Sequence, residues 1–352
     1  MNAIREGHRA EPAASAAPVV KTVNLALQGG GAHGAFTWGV LDALLADGRY
    51  EISGVSGASA GAMNAVVLAD GLREGGAEGA RKQLKQFWRA VSLDGRLDSA
   101  QRQLLDVYLS AFDPLKFGER LWQGASSFLS PYDFNPLDIN PLRGTLTELV
   151  DFPALRASEG PKLYISATDV TTGKIRIFER PELKAEMVMA SACLPTLFKA
   201  VEIEGTPYWD GGFSGNPPLF PFFYGTDCLD IILIQLDPIV RPGTPDSATE
   251  ISQRMNEITF NAPLLAEFRA IDFVAKLIDM GKLEGMPYKK IRMHVIEGGK
   301  ALAAYTADTK LQADYDLFRK LFDLGRSAGE KFIADNHDAI GVRGTLEIRQ
   351  YL

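Results

Sequence analysis

The residues best suited to chemistry lie in two turns near the start of the chain. Ser59 stands in Gly57-Ala58-Ser59-Ala60-Gly61, a G-x-S-x-G pattern. The apolar run 52–56 before it reads as a buried strand, and the small and apolar residues 60–69 after it read as a packed helix. A serine on so sharp a strand-to-helix turn presents its hydroxyl, while Gly57 and Gly61 remove the β-carbons that would clash with the two elements. The helix also aims unpaired N–H groups at whatever the serine attacks. This is the chemistry of an acyl-transfer nucleophile.

The earlier turn supplies what such a serine lacks. After the strand-like residues 23–27 comes Gly29-Gly30-Gly31-Ala32-His33-Gly34. Successive glycines let the backbone approach a ligand closely, and their N–H groups can converge on one oxygen. Gly30 and Gly31 are the candidate oxyanion donors, with the N–H of Ala60 as a third, and Gly29 and Gly34 complete the oxyanion loop. Gly29, Gly31 and Gly34 also match the G-x-G-x-x-G dinucleotide fingerprint, which keeps a nucleotide-binding module open. Against it, Glu51 lies near the distance of a ribose-binding acid but precedes the second strand instead of ending it. The chain has no GxxxxGK[ST] run, so a P-loop is excluded.

Ser59 needs a base. Asp210 precedes Gly211 and Gly212, an acid on a tight loop where the backbone can curl around it. Asp-Gly is also ordinary turn chemistry. The serine shifts the balance, because strand ends of a parallel sheet converge on one side. The four histidines, His8, His33, His294 and His337, are scattered, and the two cysteines, Cys193 and Cys228, form neither a disulfide framework nor a metal-ligand pair. No metal and no cofactor is expected.

At 352 residues with 46% apolar content, the chain can bury a substantial core, and its net charge of -7 argues against general nucleic-acid binding. Residues 1–22 read as a flexible tail without a signal-peptide core. No run approaches the roughly 20 apolar residues of a membrane span, so the expectation is a cytoplasmic protein that meets membranes only peripherally. Residues 112–141 interleave prolines with aromatics, including Trp122, and read as a lid over the site or as an irregular connection packed on the core.

The remaining elements must position these turns. A strand pair is predicted at 162–168 and 174–178, a helix at 182–192, strands at 199–203 and 231–236, a long helix at 249–281 interrupted near Pro263, a strand at 291–296, and a closing helix at 310–336. Alternating strands and helices make the fold class α/β, with a mainly parallel sheet flanked by helices. One hydrolase-like domain spans 23–300, with 301–352 a helical extension packed on it.

The motifs GGGAHG, GASAG and DGG, in this order, resemble those of the patatin-like phospholipases over about residues 23–220. The resemblance implies a Ser-Asp dyad without histidine or metal, Ser59 as nucleophile, Asp210 as general base and Gly29 to Gly34 as oxyanion loop. The substrate it implies is an acyl lipid cleaved at a carboxylic ester. The sequence departs from the family at His33, where arginine or lysine is frequent. Two alternatives stay open: an ordinary α/β-hydrolase with a Ser59, Asp210 and His294 or His337 triad, and a module that binds lipid or nucleotide without cleaving it. The dyad predicts that folded His294→Ala and His337→Ala variants hydrolyse p-nitrophenyl esters within about tenfold of wild type, whereas losing a general base costs roughly a hundredfold or more.

Overall fold

The computed structural model describes residues 19–92, 130–134, 140–305, 309–310 and 313–352. Residues 99–111, whose sequence reads as a helix, and most of the aromatic segment 112–141, Trp122 included, lie outside these residues.

Eight strands form one sheet. They are β1 (Lys21–Leu27), β2 (Tyr50–Gly57), β3 (Lys162–Asp169), β4 (Ile175–Glu179), β5 (Val201–Ile203), β6 (Thr206–Asp210), β7 (Asp230–Gln235) and β8 (Arg292–Glu297). Their order is β5-β6-β3-β2-β1-β7-β8, with β4 also on β3. The run β3-β2-β1-β7-β8 is parallel, and β4, β5 and β6 join antiparallel. The mixed α/β architecture and its central sheet are therefore those the sequence predicts.

Alternation along the parallel strands explains why they are apolar throughout. Val23, Leu25 and Leu27 of β1, with Ile232 and Ile234 of β7, enter one core, while Ala26, Ile231 and Leu233 enter another. Both faces of the sheet are covered, so residues pointing either way must be apolar. The first core is closed by helices α1 (Gly34–Asp47), α2 (Ala60–Ala90), α3 (Ala185–Ser191) and α5 (Tyr315–Asn336), and the second by α4 (Ala248–Asp279).

One expectation changes in detail. Helix α4 runs through Pro263 without a break. The proline removes one helical hydrogen bond, but the turns beyond it bury Leu264, Phe268 and Ile271 against the sheet, and that packing holds the helix together. Helix α2 consists of two helical segments that meet at a kink, where Gly75 and Gly76 leave helical geometry.

Helix α1 is almost wholly buried because α5 crosses it at backbone contact. A β-carbon on Gly39 would lie 2.6 Å from the Arg326 nitrogen and 2.9 Å from the Phe322 carbonyl carbon; one on Gly325 would lie 2.8 Å from the Phe36 carbonyl carbon. Each glycine is thus a hole for the other helix's backbone. At the edge of the crossing, Asp42 of α1 pairs with Arg81 of α2 at 2.7 Å and with Arg326 of α5. Gly39→Ala or Gly325→Ala is expected to cost on the order of 1–3 kcal/mol by forcing the helices apart, read as a lower urea midpoint at unchanged m-value.

Candidate active site

Ser59 lies just past the end of β2, at the C-terminal edge of the parallel strands. Its φ of 53° and ψ of -124° are strained for a residue with a β-carbon. The flanking glycines make this turn fit. A β-carbon on Gly57 would sit 2.6 Å from the Gly61 carbonyl carbon, and one on Gly61 would sit 2.8 Å from the Leu27 carbonyl carbon at the end of β1. The backbone N–H of Ser59 donates to both the carbonyl and the hydroxyl oxygen of Ser191, each at 3.1 Å, so the end of α3 holds the strained turn in place.

Asp210 arrives differently from the sequence expectation. It ends β6, an antiparallel strand paired with β3, and the tight loop begins only after it. Antiparallel entry still brings it to the serine's side, because β3 is the parallel neighbour of β2 and Ala167, near the C-terminal end of β3, lies opposite Asp210. Its N–H donates to the Cys193 carbonyl at 2.8 Å, and its carbonyl accepts from the Thr168 hydroxyl at 2.8 Å. Gly211 lies against β3, where a β-carbon would stand 2.6 Å from the Ser166 carbonyl carbon.

Asp210 is 1% exposed. Oδ1 accepts the Gly212 N–H at 2.7 Å, and Oδ2 is buried without a hydrogen bond of ordinary geometry. Burial pushes its pKa up to about 7, against the opposing pull of the Gly212 N–H and of the Ser59 hydroxyl, which lies close enough to act as a hydrogen-bonding neighbour. The structure therefore brings Ser59 and Asp210 together.

The glycine loop lies beside them. A β-carbon on Gly29 would fall 2.9 Å from Ser59 Cβ. The Gly29 N–H donates to Asn216 Oδ1 at 2.7 Å, and the Gly34 N–H donates to the Ala32 and Gly31 carbonyls. The N–H groups of Gly30 and Gly31 form no hydrogen bond among the described residues. Gly31, with φ of 58°, packs against the Lys310 backbone. His33 is buried and bonds Thr309 Oγ1 through Nε2 at 2.8 Å; burial, helped by the charge of Lys310, lowers its pKa to about 3, so it is neutral. A positive charge does stand by the loop, but Lys310 supplies it and pairs with Asp237.

The late histidines lie elsewhere. His337 Nδ1 meets the hydroxyl of Tyr50, the first residue of β2 and so at the opposite end of that strand from Ser59. His294 is fully buried and bonds Asp230, the first residue of β7, at 3.0 Å. Burial alone would raise the pKa of Asp230, but the hydrogen bonds from His294 and Arg292 outweigh it and hold it at about 2.

Three anchors of the site have no sequence signature: Ser191, Cys193 and Asn216. A fourth, Gln28, adjoins the glycine loop, and its buried side chain accepts from the Leu236 and Asp237 N–H groups at 2.7 and 2.8 Å. It was missed from sequence, and only its place beside three glycines could have marked it.

The buried acid has a consequence for stability. Since the folded protein binds the Asp210 proton more tightly than the unfolded chain, with its ordinary value of 3.8, stability falls as pH rises from about 4 through about 7. Asp210→Asn is expected to be more stable than wild type at pH 8, by on the order of a few kcal/mol, with the advantage disappearing toward pH 4. Denaturant melts of the two proteins across that range check it.

A family model described as patatin-like phospholipase matches residues 25–223. Among solved structures, VipD from Legionella pneumophila is similar at 20% identity and a TM-score of 0.37, covering 87% of this chain and 67% of that one. A chain of the SpcU–ExoU complex of the type III secretion system of Pseudomonas aeruginosa is similar at 15% identity and a TM-score of 0.31. There the match covers 89% of this chain and about half, 53%, of that one. No curated protein matches significantly. With more than half of its length under the family model, and with the glycine loop, serine turn and Asp210 inside the match, the chain belongs to the patatin-like phospholipase family.

Proposed function

We propose that this protein is a serine acyl hydrolase that cleaves carboxylic ester bonds of phospholipids or related acyl lipids through a Ser59–Asp210 dyad. The observation that carries the reading is the Asp210 carboxyl, buried beside the Ser59 hydroxyl with one oxygen unengaged and a pKa near 7. A carboxylate is ordinarily too weak a base to help a serine at neutral pH. Raised to about 7, its affinity for a proton is that of a general base matched to its task.

In the first half-reaction, Asp210 takes the Ser59 proton as the hydroxyl oxygen attacks the ester carbonyl. The charge that develops on the carbonyl oxygen goes to the free N–H groups of Gly30 and Gly31, with the N–H of Ala60 at the start of α2 as a third donor. Collapse of the tetrahedral intermediate expels the alcohol, which leaves with the proton from Asp210, and Ser59 keeps the acyl group. Water then attacks the acyl-enzyme, giving its proton to Asp210, and the second collapse releases the fatty acid and restores Ser59. Gly29 and Gly34 take no part as donors in this scheme, since their N–H groups are engaged; they shape the loop.

Neutral His33 faces Thr309, and the other two described histidines lie toward the far end of the sheet, which favours the dyad over a triad. Contact with the lipid surface from the cytoplasmic side belongs to the same proposal; no helix of the described residues is long and apolar enough to cross a membrane.

Wild type is expected to react with a fluorophosphonate probe and to release fatty acid from phospholipid vesicles, and Ser59→Ala is expected to do neither. Asp210→Asn should lose roughly a hundredfold or more in turnover, and the double variant should be no worse than Ser59→Ala, because residues acting as a unit are non-additive. Wild-type turnover in a folded Asp210→Asn would remove the dyad.

A further inference from the structure

The three glycines that let N–H groups approach an oxyanion are also the residues least able to hold a conformation. An oxyanion site works only if its donors are fixed before charge develops. Something outside the loop must therefore hold it, and at its entry the side chain of Asn216 ties it directly.

Resting on the acyl-hydrolase reading above, we infer that Asn216 is a positioning residue that ties the glycine loop to the loop carrying Asp210. Asn216 is fully buried, and its Oδ1 accepts the Gly29 N–H at 2.7 Å. That donor fixes which end of the amide is oxygen, since the flipped side chain would set one N–H against another. The β-carbon position of Gly29 lies 3.1 Å from Asn216 Oδ1 and 2.9 Å from Ser59 Cβ, so amide, loop and nucleophile share one contact. With the Gly29 N–H held, the peptide planes that follow start from a set direction, and the unpaired N–H groups of Gly30 and Gly31 keep theirs.

Asn216 can serve as a fixed point because its own loop is anchored. Gly215 N–H donates to the Gly211 carbonyl at 2.8 Å, and the Ser166 hydroxyl of β3 donates to the Gly215 carbonyl at 3.0 Å. Gln28 comes within 3.5 Å of the Asn216 carbonyl and bonds Asn261 of α4 at 2.9 Å. The segment that begins with Asp210 thus ends by gripping the oxyanion loop. Asn216 Nδ2 is buried without a hydrogen-bond partner among the described residues.

The test compares Asn216→Ala, Asn216→Leu and Asn216→Asp with wild type, with kcat expressed per fluorophosphonate-reactive site so that misfolded protein does not count. Asn216→Ala and Asn216→Leu, which lack the acceptor, should lose about 10- to 100-fold in kcat while KM stays within about twofold. Asn216→Asp restores an oxygen within reach of the Gly29 N–H and should recover to within about tenfold of wild type. If Asn216→Ala fails to fold, the contrast between Asn216→Leu and Asn216→Asp carries the test. Wild-type kcat per reactive site in the variants without an acceptor would overturn the inference and leave Asn216 a folding residue, as would a loss confined to KM or an Asn216→Asp no better than Asn216→Leu. A wild type that neither labels nor hydrolyses esters would instead overturn the acyl-hydrolase reading and this inference with it.

Discussion

The site depends on keeping one carboxyl out of water. A charged carboxylate in a dry interior is costly, so Asp210 holds its proton until near neutral pH, and the same cost would make it a base strong enough to serve Ser59 in the proposed dyad. Much of the surrounding architecture serves this burial. Strand β6 delivers Asp210 against β3, Gly211 lets the backbone press onto Ser166, and the Phe260 ring of α4 lies over Gly212. Exposing the carboxyl would return its pKa toward the ordinary carboxylate range and leave a poor base beside a serine.

Holding that arrangement requires Ser59 and Asp210 to be tied to a common frame. The short helix α3 and the turn after it provide it: Ser191 binds the Ser59 N–H, and two residues on, Cys193 binds the Asp210 N–H. Serine and acid come from strands far apart in sequence, but their backbones hang from residues 191–193. The glycine loop is held on its other side by the Thr309–Lys310 segment, which lies beyond the residues matched by the family model. The C-terminal third thus supports the loop from outside and, through α5, closes the core over α1.

Much of this was legible in the sequence, and for identifiable reasons. The turns at Gly29 to Gly34 and Gly57 to Gly61 are visible because backbone contact and a strained φ leave so few residue types allowed there. The parallel strands are visible because burial on both faces makes them apolar without interruption, as in β7. Asp210 was placed beside Ser59 by chemical need, but its strand was missed: Thr206–Asp210 includes a proline and ends at two glycines, and its pairing with β3 is a long-range contact without a local pattern. The same holds for Asn216, Ser191 and Cys193, which act through single hydrogen bonds to backbone groups distant in the chain. The break expected at Pro263 did not occur, since packing against the second core outweighs one lost helical bond.

In the proposed dyad, Asp210 is a protonated acid in the resting site below neutral pH and a base above it. The infrared carbonyl stretch of a protonated carboxyl reports this directly, taken as the difference between wild type and Asp210→Asn so that the second buried acid with a raised pKa, Glu267, cancels. A difference band that persists at pH 6 and vanishes as pH rises through about 7 is expected. A band already lost by about pH 5, near the ordinary carboxylate range, would contradict it.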